Sequence, residues 1–214
     1  MTTEIPPAAT RPCASPSVFW CAITPGSCRT CAASFTAGTP VSVGTGTLTF
    51  TDAGHGSFDY TVNGTHQTKA ITPQPLGTAA PACNYTGTAN LAGASNYQGL
   101  WWNASESGWG INFAHHGLII FATWFTFDGN GAPTWFVATM NKGTGETFSG
   151  QLFTETATPF GATPFVANPA IPAGNATVTF ANGDSAAFSY TIGAVSKTRQ
   201  LTHQPLGAGG TVCN

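Results

Sequence analysis

The sequence repeats itself at an offset of 130 residues, and this repeat limits the possible folds more than any other feature. The aligned pairs of segments are 47–50 with 177–180, 58–62 with 188–192, 72–77 with 202–207, and Cys83 with Cys213. The alignment needs no gap and reaches back to Phe35, which falls on Phe165. Similarity at one fixed offset over roughly 50 positions rarely arises by chance, so we predict two copies of one structural unit.

The two predicted copies differ in length. Residues 84–214 form a complete unit, whereas residues 33–83 match only its second half. Residues 1–32 show no match and instead hold most of the cysteines. We therefore predict three parts: a Cys-rich N-terminal arm at 1–32, a truncated β repeat at 33–83 and a complete β repeat at 84–214.

The composition favours strands over helices. Charged residues make up 7% of the chain, against roughly a quarter in an average soluble domain. The 26 Gly and 15 Pro residues, with many Thr residues, are typical of strands and tight turns. The net charge of -2 and the total of 6 Lys and Arg argue against nucleic acid as a partner. No run of about 18 apolar residues is present, so we expect no membrane span.

Alternation of apolar and polar residues marks the strands. The predicted strands are 108–116, 118–127 and 134–140, with further ones near 147–153, 175–181, 185–192 and 195–202. A tight turn at His116-Gly117 joins the first two, and a Gly-rich turn at 128–131 leads into the third. Short strands linked by such turns predict an all-β antiparallel meander, either a barrel or a sandwich. Pairing between sequential hairpins favours the barrel.

The even number of cysteines indicates an oxidising compartment, because disulfides persist there. The N-terminal segment lacks the basic and apolar regions of a signal peptide. The chain is therefore either retained inside the cell or a mature form with an added start codon. The cysteines favour the second interpretation, and we expect a secreted or cell-surface protein.

The cysteines expected to form disulfides are Cys13, Cys21, Cys28, Cys31, Cys83 and Cys213. Cys28 and Cys31 form a C-x-x-C pair that could also serve a redox or zinc site, but zinc would need a second such pair. The repeat suggests a bond between Cys83 and Cys213, which bracket the complete unit, with the other four paired among themselves. A bond from Cys83 or Cys213 to the N-terminal cluster stays open as an alternative.

Three stretches rich in aromatic residues resemble a known repeat. They are NYQGLWWN at 96–103, ESGWGINFAH at 106–115 and IFATWFT at 120–126. Together with a Cys just before the unit and the closing hairpin at 60–72, they are similar to a repeat of secreted proteobacterial proteins. The resemblance covers about residues 35–213. The chain departs from the pattern at His116, where Gln is usual, and in its truncated first copy. The resemblance implies a secreted bacterial β-repeat protein and no particular activity.

Most of the tryptophans fall in one part of the chain: Trp101, Trp102, Trp109, Trp124 and Trp135. They could fill the core of a small barrel, or form a surface that binds sugars or flat polymers. Trp101 and Trp102 are adjacent, so in a strand they point to opposite faces and one of them should face outward. The candidate ligand-binding residues are Trp101, Trp102 and Trp109.

A catalytic site is the weaker prediction. If the protein is an enzyme, His115 and His116 with Glu106 are the candidate acid/base or metal-binding residues. Neighbours on a strand diverge, however, so both histidines cannot bind one metal without a bend. The motifs of serine hydrolases and zinc proteases are absent from the sequence. Glu106 could instead satisfy backbone donors in its own loop. We lean against an enzyme and expect no cofactor or metal.

The truncated copy suggests a function. Half a β repeat leaves open sheet edges and an uncovered apolar face, which soluble proteins avoid. It could pack on the complete unit, be covered by the N-terminal arm, or be completed by another molecule through strand addition. We therefore expect a non-enzymatic extracellular structural or adhesive protein that self-associates into a homo-oligomer or filament. The alternatives are a carbohydrate- or polymer-binding module that uses exposed Trp on a polysaccharide surface, and a secreted hydrolase.

Overall fold

The structure is a computed structural model that describes residues 41–77, 80–84, 91–205 and 212–213. All of them belong to one compact unit, Ser34–Asn214. The predictions made for the N-terminal arm, which include the disulfides of Cys13, Cys21, Cys28 and Cys31, lie outside these residues. The helical content of the described ranges is two short 3₁₀ turns, Leu91–Gly93 and Ala104–Glu106. Nowhere in these ranges is a helix long and apolar enough to cross a membrane.

The described residues fold almost entirely into strands. In chain order these are β1 Gly44–Asp52, β2 His55–Val62, β3 Thr65–Ile71, β4 Cys83–Asn84, β5 Gly99–Trp102, β6 Gly110–His116, β7 Ile119–Phe127, β8 Pro133–Lys142, β9 Thr147–Thr154, β10 Ile171–Asn182, β11 Ser185–Ile192, β12 Val195–Gln204 and β13 Val212–Cys213. Strands β5 to β12 form a closed antiparallel barrel in the order β10-β11-β12-β5-β6-β7-β8-β9. Strands β1 to β3 form a separate sheet, and β4 pairs with β13. The prediction of an all-β antiparallel barrel is confirmed.

One hairpin turn lies one residue later than predicted. β6 and β7 pair up to His116, which faces Ile119, so the turn is at residues 117–118 and not at His116-Gly117. Gly117 has a φ of 60°, a left-handed conformation that costs glycine little because it has no Cβ. Gly117 therefore takes the first position of the turn, and His116 stays within β6.

Aromatic and branched side chains fill the barrel interior. The largest fully buried side chains are Trp101, Phe113, Phe148, Phe188, Ile111, Ile120, Met140, Leu152, Leu201 and Val178. Near one end, the Tyr97 ring stacks on the Phe180 ring with centroids 3.7 Å apart and an interplanar angle of 5°. A shift of one residue in any strand would turn its buried set toward solvent. This interior therefore fixes the register of the barrel strands.

The β1–β2 pair has the same register as the β10–β11 pair when 130 is added to each residue number. Both pairs shift register at the same place, between Phe50 and Asp52 in β1 and between Phe180 and Asn182 in β10. The third strands, β3 and β12, pair in the same order with β2 and β11. Equivalent sequences thus form equivalent hairpins. One of them is part of the barrel wall, and the other belongs to the separate β1–β3 sheet.

The β1–β3 sheet has one apolar and one polar face. Leu48 lies opposite Phe58 in the register, and Phe50 and Tyr60 share the same face because side chains alternate along a strand. The opposite face carries Thr45, Thr47, Thr49, Ser57, Asp59, Thr61, His66 and Thr68. On that polar face the Thr68 hydroxyl donates to Asp59 Oδ2 at 2.6 Å. The sheet is therefore amphipathic.

The connection between β9 and β10 touches part of the apolar face of this sheet. The Gln67 amide donates to the Gly161 carbonyl at 3.1 Å, and the centroids of the Tyr60 and Phe160 rings lie 6.2 Å apart. Tyr60 is consequently buried, whereas Leu48 and Phe50 in β1 remain exposed. The contact covers only part of the face.

A disulfide joins Cys83 in β4 to Cys213 in β13, and the two residues also face each other in the strand pair. The predicted bond is therefore confirmed. It ties the segment that enters the barrel to the segment that leaves it.

Candidate functional site

The adjacent tryptophans Trp101 and Trp102 point to opposite sides of the barrel wall, as predicted from alternation. Trp101 is 1% exposed, and its Nε1 donates to the Tyr97 carbonyl at 2.9 Å. Trp102 is partly exposed on the outer face. Only Trp102 of this pair is therefore accessible to a ligand.

Trp109, the third candidate, is buried and held at the start of β6. Its Nε1 donates to Glu106 Oε2 at 3.1 Å, and Arg199 donates to the other carboxylate oxygen of Glu106. The alternative role suggested for Glu106, acceptance from backbone donors of its own loop, is wrong, because its carboxylate accepts from these two side chains. Asn103 has that role instead, because its side-chain oxygen accepts from Ser105 N. Glu106 thus links the loop before β6 to β12.

His115 is buried, and both of its ring nitrogens are hydrogen-bonded to the backbone. It is 3% exposed, its Nδ1 accepts from Tyr97 N at 2.9 Å, and its Nε2 donates to the Gly117 carbonyl at 2.8 Å. Burial lowers the pKa of His115 below its ordinary value. These bonds fix the neutral tautomer and leave neither ring nitrogen for acid/base chemistry or metal binding.

The candidate catalytic residues are not brought together. His115 points into the barrel and His116 to the outside, in agreement with the expected divergence. Glu106 precedes the first residue of β6, while the two histidines end that strand, so about 20 Å of extended chain separates them. Across the described ranges, no group of three His, Cys, Asp or Glu side chains could hold a metal ion.

Three aromatic side chains lie in one row across the outside of the barrel. The register places Trp102 opposite Gly110, Gly110 opposite Phe125, and Phe125 opposite Trp135. Phe125 is 55% exposed and Trp135 is 39% exposed. Because Gly110 has no side chain, a gap stays open between Trp102 and Phe125. We call Trp102, Phe125 and Trp135 the aromatic platform.

A second row of uncharged residues runs beside the platform. It consists of Gln204, Leu100, Asn112, Thr123 and Val137. The side chains of Asn112 and Gln204 make no hydrogen bond to any other residue that the structure describes. Two adjoining grooves of about 290 and 660 Å³ share Leu100, Asn112, Phe125 and Gln204. Their volumes are of the size of small-ligand sites.

The larger groove reaches the buried residue His203. Neither ring nitrogen of His203 makes a hydrogen bond of normal geometry within the described chain. Gly99 lies against this ring, and a Cβ at Gly99 would come 2.3 Å from His203 Nε2. The φ of Gly99 is 131°, which also disfavours other residues. Gly99 therefore keeps space for the imidazole at the end of the groove.

Of the residues on this outer surface, only Trp102 is among the ligand-binding candidates predicted from the sequence; Phe125, Trp135, Asn112 and Gln204 are not. Alternation in 118–127 placed Phe125 on the face opposite Trp124, which was the available signal. The row itself depends on which residues face each other across four strands. That register is set by the packed interior and cannot be obtained from one strand alone.

Comparison with known proteins gives no match. No family model matches the sequence, and no curated protein or solved structure matches it either. The geometry of the molecule therefore carries the functional argument.

The buried histidines predict a loss of stability in mild acid. Burial is the main cause that lowers the pKa of both His115 and His203. The unfolded chain binds these protons at a higher pH than the native state. The free energy of unfolding should therefore be greatest above about pH 6.5 and fall as the pH drops toward the native pKa values. The expected slope is up to about 1.4 kcal/mol per pH unit for each imidazole.

Urea unfolding between pH 7.5 and 5, with NMR titration of the imidazoles, measures this effect. A free energy of unfolding that stays constant over this range would contradict it. So would NMR signals that show both imidazoles protonated in the native state at pH 6.5.

Proposed function

We propose that the protein is a non-enzymatic extracellular structural or adhesive protein that self-associates through its β1–β3 sheet. The single observation that carries this proposal is the difference in burial between equivalent positions. Leu48 and Phe50 in β1 are 56% and 68% exposed. The residues at the same register in β10, Val178 and Phe180, are 0% and 4% exposed. The sequence of β1 is thus that of a barrel strand, but its apolar face lacks a covering layer among the described residues.

The edge of β1 supports the same proposal. β10 pairs with β9 on one side and with β11 on the other, whereas β1 pairs only with β2 in the described part of the chain. An unpaired edge presents N–H and C=O groups that another strand can complete. The barrel is closed and offers no such edge. We therefore infer that β1 of one molecule pairs with the β1–β3 sheet of a second copy.

Two pairing modes follow from this geometry. Pairing of β1 with the partner's β1 uses the same surface twice and closes as a dimer. Pairing of β1 with the partner's β3 is head-to-tail and extends into a filament unless the rotation between copies closes a ring. Both modes join two sheets and bring their apolar faces side by side. The Cys83–Cys213 disulfide supports the extracellular part of the proposal, since such bonds persist in oxidising compartments.

The test is the mass of the oxidised protein across a concentration series, by light scattering and sedimentation. We expect the wild type to associate and Leu48→Asn with Phe50→Asn to weaken association by roughly tenfold. Cross-strand apolar pairs contribute about 0.2–1 kcal/mol each, and the two substitutions remove several of them across the new strand pair. The matched control, Thr47→Asn with Thr49→Asn, places the same residue type on the polar face of the same strand and should associate nearly as well as the wild type.

Either of two results would overturn this proposal. One is a wild-type protein that remains monomeric at all concentrations, which would mean that the apolar face of β1 is covered within its own chain. The other is equal weakening by the two double variants, which would remove the role of the apolar face. Negative-stain microscopy of the associated wild type distinguishes the dimer from the filament.

A further inference from the structure

The outer surface of β5 to β8 contains no charged side chain. The outward-facing residues of these four strands are Leu100, Trp102, Gly110, Asn112, Ala114, His116, Ile119, Phe121, Thr123, Phe125, Phe127, Pro133, Trp135, Val137, Thr139 and Asn141. None of them is Asp, Glu, Lys or Arg. In the same region Lys142 and Glu146 bond to each other, and Glu106 is bonded to Arg199. This surface therefore favours a ligand without charge.

The aromatic platform is elongated. Its members lie in one row that runs across the strands, from Trp102 on β5 to Trp135 on β8. Three spacings between neighbouring strands separate these two residues, which corresponds to about 14 Å. A row of this length exceeds a single sugar ring and suits a chain of repeating units.

Polar groups accompany the platform on one side. Asn112 and Gln204 supply amide donors and acceptors without hydrogen-bond partners in the described chain, and Thr123 supplies a hydroxyl between β6 and β8. An apolar protein segment would leave these groups unsatisfied, at a cost in free energy. A ligand rich in hydroxyl groups would satisfy them.

We propose that the aromatic platform, together with Asn112 and Gln204, binds a neutral polysaccharide chain. The faces of Trp102, Phe125 and Trp135 stack on the apolar faces of successive sugar rings. The two amides hydrogen-bond to the hydroxyl groups at the ring edges. The gap over Gly110 lets a ring settle between two aromatic side chains. This site lies on the barrel and does not depend on association through the β1–β3 sheet.

The experiment is native affinity electrophoresis of the whole protein in gels that contain one polymer each. The neutral probes are hydroxyethyl cellulose, dextran, soluble starch and galactomannan, and the charged probe is polygalacturonate. We expect at least one neutral polymer to slow the wild type. Trp102→Ala and Trp135→Ala should each weaken binding about tenfold or more, and Asn112→Ala with Gln204→Ala should also weaken it. Trp102→Phe keeps an aromatic face and should retain most of the binding.

Leu118→Ala is the matched control, because it removes an exposed apolar side chain that lies neither in the aromatic platform nor in the β1–β3 sheet. It should leave polymer binding unchanged, and cooperative urea unfolding with a midpoint close to that of the wild type should show that the Trp→Ala variants are folded. Three results would overturn the proposal: no neutral polymer slows the wild type, only polygalacturonate does, or the Trp102→Ala variant binds as the wild type does. None of these results bears on self-association, which Leu48 and Phe50 test.

Discussion

Replacing Cys83 and Cys213 together by Ser is expected to lower the free energy of unfolding by about 4–5 kcal/mol. The bond closes a loop with a sequence separation of 130, and a crosslink stabilises the native state by reducing the entropy of the unfolded chain. The loop-length model gives a larger effect for a longer loop. Since small domains are stable by only about 5–15 kcal/mol, this bond would supply a large share of the total.

Urea unfolding of the oxidised wild type and of the Cys83→Ser, Cys213→Ser variant measures the difference. The four N-terminal cysteines require a control. The double variant is therefore also unfolded with and without reductant, which isolates any contribution from those residues. A difference below about 1 kcal/mol between wild type and double variant would contradict the prediction.

The second large effect is expected at Phe180. Replacing it by Ala should lower the free energy of unfolding by about 3–5 kcal/mol. The Phe180 ring stacks on Tyr97 and meets the edges of Trp101 and Phe113, with centroids 5.1 and 5.6 Å away. Its removal leaves a cavity that these rigid aromatic rings cannot collapse to fill. Phe50→Ala, at the same position of the other hairpin, should change the free energy of unfolding by no more than about 0.5 kcal/mol.

Both Phe→Ala variants are to be compared by urea unfolding at a concentration where the protein is monomeric, because association would stabilise the native state. The two positions hold the same residue type at the same register of equivalent strands, β1 and β10, and differ mainly in burial. A cost for Phe50→Ala as large as that for Phe180→Ala would show that Phe50 is covered in the monomer. That outcome would also weaken the argument for self-association.

Local sequence patterns predicted the strands well, since the alternation that marks a strand depends only on the residues of that strand. Alternation in 108–116 and 118–127 correctly grouped the residues that share a face, and the inward groups include Phe113, Ile120 and Trp124. It also gave the divergence of Trp101 and Trp102, but not which of the two is buried. That choice depends on the closure of the barrel, where β12 joins β5 through only three residue pairs. No pattern in either strand predicts this pairing.

The candidate site was harder to predict for the same reason. Glu106 bonds to Arg199, and these residues are 93 positions apart in the chain. Equally, the aromatic platform combines residues from three strands whose mutual register is set by the packed interior. The repeat was the exception among long-range features, because the equal spacing of Cys83 and Cys213 was visible in the sequence and predicted their disulfide. Long-range structure was thus predictable only where the sequence repeats.

The position of the Cys83–Cys213 bond also determines how the molecule carries mechanical force. Tension applied between the β1–β3 sheet and the carboxyl end of the chain reaches Cys83 and passes directly to Cys213 through a covalent bond. The barrel strands form a side loop of this path and bear no load while the bond is intact. Pulling would therefore extend the segments outside the bond and leave the barrel folded. In the reduced protein the same force would act on β5 and β12, which meet through three residue pairs, and would open the barrel there first.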